Sequence, residues 1–293
     1  MKNILKAVFV VLIVTSILLA SALLTPLIFR ILPFFKFERI FRRLVTIFVV
    51  GLAIFVVSRE KWSWKRYGFD FSVSWLSLFL YGLIGGAITL GIMTLAETVW
   101  GPYFVRDNIS IGRTIEWFFK GLVSGISIGF LEEFFFRGFV YKQLESRVKV
   151  VAALILTNIF YAAVHFWDSR GIFVQNPPTF HDGIHLLKVH LSPFLNTPME
   201  TLPQFMGLFI FGLVLNFAFL RTRTLFLSIG IHAGVVFLIK FQKAIVLKET
   251  EGHHWLWRHL SLYDAPVEWV IVSGLLLILV FFLVPKKLIK DSK

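Results

Sequence analysis

The 293-residue chain contains no cysteine, and only 16% of it is charged. The first absence excludes disulfides, thiolate metal ligands and thiol nucleophiles, and it leaves the redox compartment unspecified. The second, with a hydrophobic content of 57% and a mean hydropathy of +0.79, excludes an ordinary soluble domain, in which about a quarter of residues are charged. No polar block is long enough to fold alone, and no inverted repeat of the kind found in many transporters is present. Acidic residues are scarce too, 17 against 30 Lys and Arg. The basic residues stand in short segments between apolar runs, where they orient helices and meet anionic headgroups. Their excess therefore does not point to nucleic acid as a partner.

What remains is a series of apolar runs bounded by charge, Gly or Pro. They predict transmembrane helices near 5–25, 41–57, 75–98, 115–141, 150–167, 205–220, 224–241 and 267–284. The expected fold class is an all-α polytopic membrane protein, with about eight helices around a polar intramembrane cavity and a single membrane-embedded domain over 1–293. The basic start and the small residues Ala20-Ser21-Ala22 look like a secretory signal. The apolar run continues past Leu24 and, interrupted by Pro26, on to Phe29, which favours a retained helix. An even number of spans, with Lys2, Lys6, Arg59, Lys61, Lys142 and Lys149 on one face, places both termini on the cytoplasmic side of the cell membrane. Two connections are long, 168–204 and 242–266. His181, His185 and His190 in the first have irregular spacing and no acidic pattern nearby, so they read as solvated loop histidines rather than a metal site.

The stretch at 129–141, GFLEEFFFRGFVY, places Glu132, Glu133 and Arg137 among aromatic and aliphatic residues. A charge at the centre of a spanning helix costs on the order of 2.5–3.5 kcal/mol, while each Leu or Phe returns a few tenths. Such residues face a protein interior or a wet cavity and are candidates for a functional site. Gly121, Gly125, Gly129, Glu133 and Arg137 recur every four residues and form one stripe. The glycines permit close approach of another helix, and Glu133 and Arg137 stand at ion-pair spacing. Glu132, rotated by about 100°, has no such partner on its own helix. Asn158, Tyr161 and His165 share a face of the next span, and Ser228 and His232 share a face of the seventh. A Glu and two His around water is equipment for hydrolysis: the carboxylate deprotonates water, while imidazoles orient it, stabilise an oxyanion or protonate the leaving amine. The same groups resemble a His₂Glu zinc set, which leaves metal-assisted hydrolysis open.

EEFFFR at 132–137 matches the EExxxR signature of the CPBP group of CAAX proteases and bacteriocin-processing enzymes. FYAAVHF at 160–166 is similar to its FxxxH motif, and LFIFGLVLNFAFLRTRTLFLSIGIHAG at 208–234 is similar to its closing helix pair. The resemblance covers about 115–241. It implies an eight-helix intramembrane endopeptidase in which Glu132 activates water, helped by His165 and His232 and supported by Glu133 and Arg137. No cofactor is expected, zinc being the alternative, and the implied partner is a membrane-anchored peptide or protein substrate, prenylated in some members. Two positions depart from the pattern. Tyr161 stands where the motif has Phe, and Val236 stands where proteolytic members often carry Asn, four residues after the second His. The Val236 change motivates a second expectation, a non-catalytic scaffold or regulator, and the buried acids and histidines motivate a third, a proton-coupled carrier.

Overall fold

The computed structural model describes residues 2–59, 63–101, 103–166, 174, 177–196, 198–248, 265–285 and 288. Helices α1 (Lys2–Ile31), α2 (Phe37–Arg59) and α3 (Trp75–Trp100) are followed by strand β1 (Tyr103–Val105) and α4 (Ile111–Glu133). The last of these runs without a break into a π-helical stretch, Phe134–Tyr141, and a closing turn, α5 (Lys142–Glu145). Then come α6 (Val150–Val164), α7 (Phe180–Asn196), α8 (Pro198–Thr222), α9 (Phe226–Phe241), strand β2 (Val246–Lys248) and α10 (Pro266–Ile278). Among the described residues six helical segments are long and apolar enough to cross a bilayer: Phe37–Arg59, Trp75–Trp100, Ile111–Glu145, Thr201–Thr222, Phe226–Ala244 and Pro266–Leu283. Thr15–Ile31 and Val150–Val164 are apolar but shorter. The fold is all-α and multi-pass, and the two shorter helices occupy the remaining two positions where spans are expected.

Two compact units emerge, one from residues 1–61 and 164–201, the other from 62–163 and 202–293. In the first, Ala22, Phe37, Phe41 and Leu186 form a buried core that joins α1, α2 and α7. Here α1 passes straight through Pro26, contrary to the expected interruption. Proline has no N–H to give to the carbonyl four residues earlier, which is that of Ala22. A Cβ built on Gly183 of α7 would fall 2.0 Å from this same oxygen, so the glycine Cα hydrogen points at the carbonyl that proline leaves without its helical donor. The 168–204 segment, expected as a loop, contains α7 because Thr179 and Asp182 make a capping box. The Asp182 Oδ2 accepts from the Thr179 N–H at 2.7 Å and from its hydroxyl at 2.8 Å. His181 and His185 are thus helical, exposed and stacked at 6.4 Å, while the histidine-rich part of the 242–266 connection, 249–264, lies outside the described residues.

In the second unit, α9 packs between α3 and α4 at backbone contact. A Cβ on Gly82 or Gly86 of α3 would meet the Leu227 or Ile231 carbonyl at 2.4 Å, and one on Gly230 or Gly234 of α9 would meet the Phe79 or Leu83 carbonyl at 2.2 or 2.1 Å. On the other flank, Gly125 of α4 stands 2.4 Å by the same measure from the Ala233 carbonyl, with Gly121 and Gly129 one turn to either side against Phe237 and Ala233. Lipid supplies no hydrophobic force between helices, so this close approach is the source of the packing energy. It also holds the C-terminal end of α4 against the middle of α9. The antiparallel β1–β2 ribbon joins the ends of α3 and α9.

Candidate active site

The carboxylates stand where α4 turns π-helical. Glu133 is the last α-helical residue, and the wider π turns carry Arg137, a geometry often found at functional sites. Glu133 and Arg137 are fully buried, and the Arg137 Nη1 donates to Glu133 Oε1 at 2.9 Å. A guanidinium has five N–H donors and cannot be neutralised by losing a proton, so burial obliges its surroundings to supply acceptors. They do so from two further helices. Nε donates to Asn216 Oδ1 (3.1 Å) and Nη2 to the Gly212 carbonyl (2.8 Å), both on α8, and Nη2 also to Asn158 Oδ1 of α6 (3.4 Å). The Tyr161 ring lies 4.6 Å from the guanidinium carbon, adding a cation–π contact.

His232 of α9 is 3% exposed and completes the chain of contacts. Its Nδ1 stands 3.0 Å from Glu133 Oε1, the same oxygen that Arg137 holds. Beside that arginine Glu133 is an ionised acceptor, so the imidazole proton belongs on Nδ1, which donates to it. This leaves Nε2 for other work, 3.8 Å from Glu132 Oε2. Glu132 itself is 31% exposed by its side chain, the accessible acid beside the sealed one. The Tyr161 and Phe211 rings meet the His232 ring edge to face at 6.4 and 5.7 Å. Below, Phe69 packs on Phe130 and Phe134, which flank the two glutamates in sequence. Its loop is held by Asp70, whose carboxylate takes Lys65 Nζ at 2.8 Å and the Ser72 hydroxyl and N–H.

Four of the five candidates therefore converge: Glu132, Glu133, Arg137 and His232. His165 lies half-buried in the turn just past α6, which ends at Val164. Asn158 and Asn216, the amides available to stand in for the one that Val236 replaces, have their carbonyl oxygens on Arg137 instead. The Asn158 amide nitrogen donates to the Leu154 carbonyl at 2.8 Å, so this side chain is occupied at both ends. That clamp was not anticipated from the residue pattern, although a buried arginine with one carboxylate in sequence reach signals that further acceptors must exist. Among the described residues no three His, Cys, Asp or Glu side chains form a metal-binding group.

No curated protein and no solved structure matches the chain. Residues 114–238 match a family model described as Rce1-like, type II CAAX prenyl endopeptidase Rce1-like. That interval begins in the first turn of α4, ends in the last turns of α9, and contains the glutamates, the arginine, both asparagines and both histidines. Over this segment, less than half of its length, the chain is similar to the CAAX protease, or CPBP, family.

Proposed function

We propose that the protein is an intramembrane endopeptidase that hydrolyses a peptide bond of a membrane-anchored, CAAX-type substrate with a water activated by Glu132. The observation that carries the reading is the separation of tasks between adjacent acids. Glu133 is committed to Arg137 and His232, whereas the Glu132 side chain is partly exposed and turns its buried Oε2 toward the second nitrogen of the same histidine. A water about 2.8 Å from both Glu132 Oε2 and His232 Nε2 would subtend an angle of about 85° between them, since those atoms are 3.8 Å apart. Glu132 takes a proton from that water as oxygen attacks the scissile carbonyl, then returns it to the leaving amine. His232 orients the nucleophile through Nε2, and the Glu133–Arg137 pair keeps the ring from turning. His165 joins the reading on its place in the FxxxH-like motif, as a second orienting or oxyanion-stabilising imidazole. No cofactor enters the scheme.

The test is cleavage of a membrane-tethered, prenylated or unprenylated peptide by purified protein in detergent or nanodiscs. Glu132→Gln should abolish turnover while leaving the protein monodisperse, and turnover equal to wild type would overturn the assignment. Val236 favours one second reading, a non-catalytic scaffold within the family, because valine offers no amide N–H to an oxyanion and the Asn158 amide nitrogen is already given to the Leu154 carbonyl, which leaves Asn216 Nδ2 as the donor to spare. On that reading Glu132→Gln keeps the cellular phenotype.

A further inference from the structure

The other end of the α4–α9 pair carries a feature that peptide hydrolysis does not use. Thr114 lies eighteen residues before Glu132, about 27 Å away along the helix axis. There Thr114, Ile115, Phe118, Phe119 and Phe241 line an open, wholly apolar groove of about 200 Å³. Ile115, Phe118 and Phe119 are 52%, 41% and 58% exposed. On a membrane-facing surface such a groove holds an acyl chain, and what distinguishes this one is the charge beside it. Lys240 precedes the lining residue Phe241 and is half-buried. A Cβ on Gly121 would lie 3.6 Å from the Lys240 Cβ, so the missing side chain of α4 leaves room for the lysine stem. Lys243 follows within one turn and stands over the Trp117 ring at 5.9 Å, with Lys120 over the same ring at 5.4 Å. Lys120 is neutralised by Glu116. Among the described residues Lys240 and Lys243 form no ion pair with an acid. Two cations without an acidic partner among the described residues, an indole and an apolar slot on adjoining turns are complementary to one kind of molecule, which has an acyl chain ending in a negative headgroup.

We propose that this face of α4 and α9 binds an anionic diacyl glycerophospholipid, its chain in the Phe118–Phe241 groove and its phosphate against Lys240 and Lys243. Occupancy would lie across the contact between the two helices that carry Glu133 and His232. The proposal does not depend on the hydrolytic reading, because its test needs no turnover.

The experiment is quenching of Trp117 fluorescence, taken as the difference between wild type and Trp117→Phe, in phosphatidylcholine vesicles doped with brominated phosphatidylglycerol or brominated phosphatidylcholine. The expected result is quenching at about twenty-five-fold lower mole fraction for the anionic lipid, the product of the two lysines. That preference should fall about fivefold for each lysine removed in Lys240→Gln and Lys243→Gln, and in the wild type it should shrink in high salt. Equal quenching by both lipids would show nonselective lipid contact and overturn the proposal. Absence of quenching by either would show the groove covered by protein, such as a second copy, and would also overturn it. The wild-type comparison stands even where a lysine variant fails to fold.

Discussion

Gly125→Ala is the sharpest test of how the scaffold sets the site. The added Cβ would sit 2.4 Å from the Ala233 carbonyl oxygen, 3.1 Å from the Phe237 nitrogen and 3.3 Å from the Ala233 carbonyl carbon. All three atoms are backbone, so no rotamer can yield, and restoring ordinary contact at about 3.4 Å requires α4 and α9 to part by roughly 1 Å at this level. Two turns further along α4 and next to Ala233 on α9 stand Glu133 and His232, whose bond is 3.0 Å long. Stretched by that amount, the contact ceases to be a hydrogen bond. Overpacking of this kind costs about 1–3 kcal/mol in stability, and a misplacement of about 1 Å costs a site on the order of a hundredfold in rate. The assay pairs thermal unfolding with kcat on the membrane-tethered peptide, using Gly274→Ala as control. Gly274 has nothing within 4 Å of its Cβ position, so its alanine variant should match wild type in both readouts. A Gly125→Ala protein with full activity and stability would refute the argument that backbone contact of α4 with α9 positions the histidine.

Arg137→Gln should destabilise the fold by about 3–5 kcal/mol, the cost of breaking a buried pair. The double variant with Glu133→Gln should recover part of that loss without recovering activity, as a double-mutant cycle in thermal unfolding would show. Gly183→Ala should lower the unfolding temperature, because its Cβ would lie 2.0 Å from the Ala22 oxygen; Pro26→Ala should not rescue it, since the obstructing carbonyl remains. Asp70 supplies the pH dependence. Burial alone would raise its affinity for a proton, but hydrogen bonds from Lys65 and Ser72 hold its carboxyl below the usual range. Its contribution to stability is thus complete above the unfolded value of about 3.9 and is lost as pH falls through the lower folded value. Melts across that acid window should show a smaller pH slope in Asp70→Asn than in wild type.

Much of this was legible in the sequence because charge is costly in lipid. Glu132, Glu133, Arg137 and His232 stand out against apolar surroundings, and the four-residue glycine repeat foretells the close contact of α4 with a neighbour. Other features carried a quieter signal. The Thr179–Asp182 capping box announced α7, but a Pro-Pro pair and scattered histidines made the segment look like loop. Thr25 precedes Pro26, and nothing local says that the freed Ala22 carbonyl will meet a glycine 161 positions away. The π-helical turns at Phe134–Tyr141 have no pattern in their side chains that sets them apart from the α-helix they continue. The asparagines show the limit of reading residues by type. An amide in a membrane helix is visible as unusual, but whether it serves a reacting atom or another side chain depends on packing across the bundle.

The placement of α9 constrains where change can enter this protein. Carbonyls of α3 and glycines of α4 leave no room on two flanks for anything larger than hydrogen. A third arc remains, the one along which His232 looks toward Tyr161 and Phe211. Change in what is recognised is therefore accommodated more easily on the helices that meet this third side with side chains than on α9 itself, like the planking of a hull that can be replaced while its keel cannot.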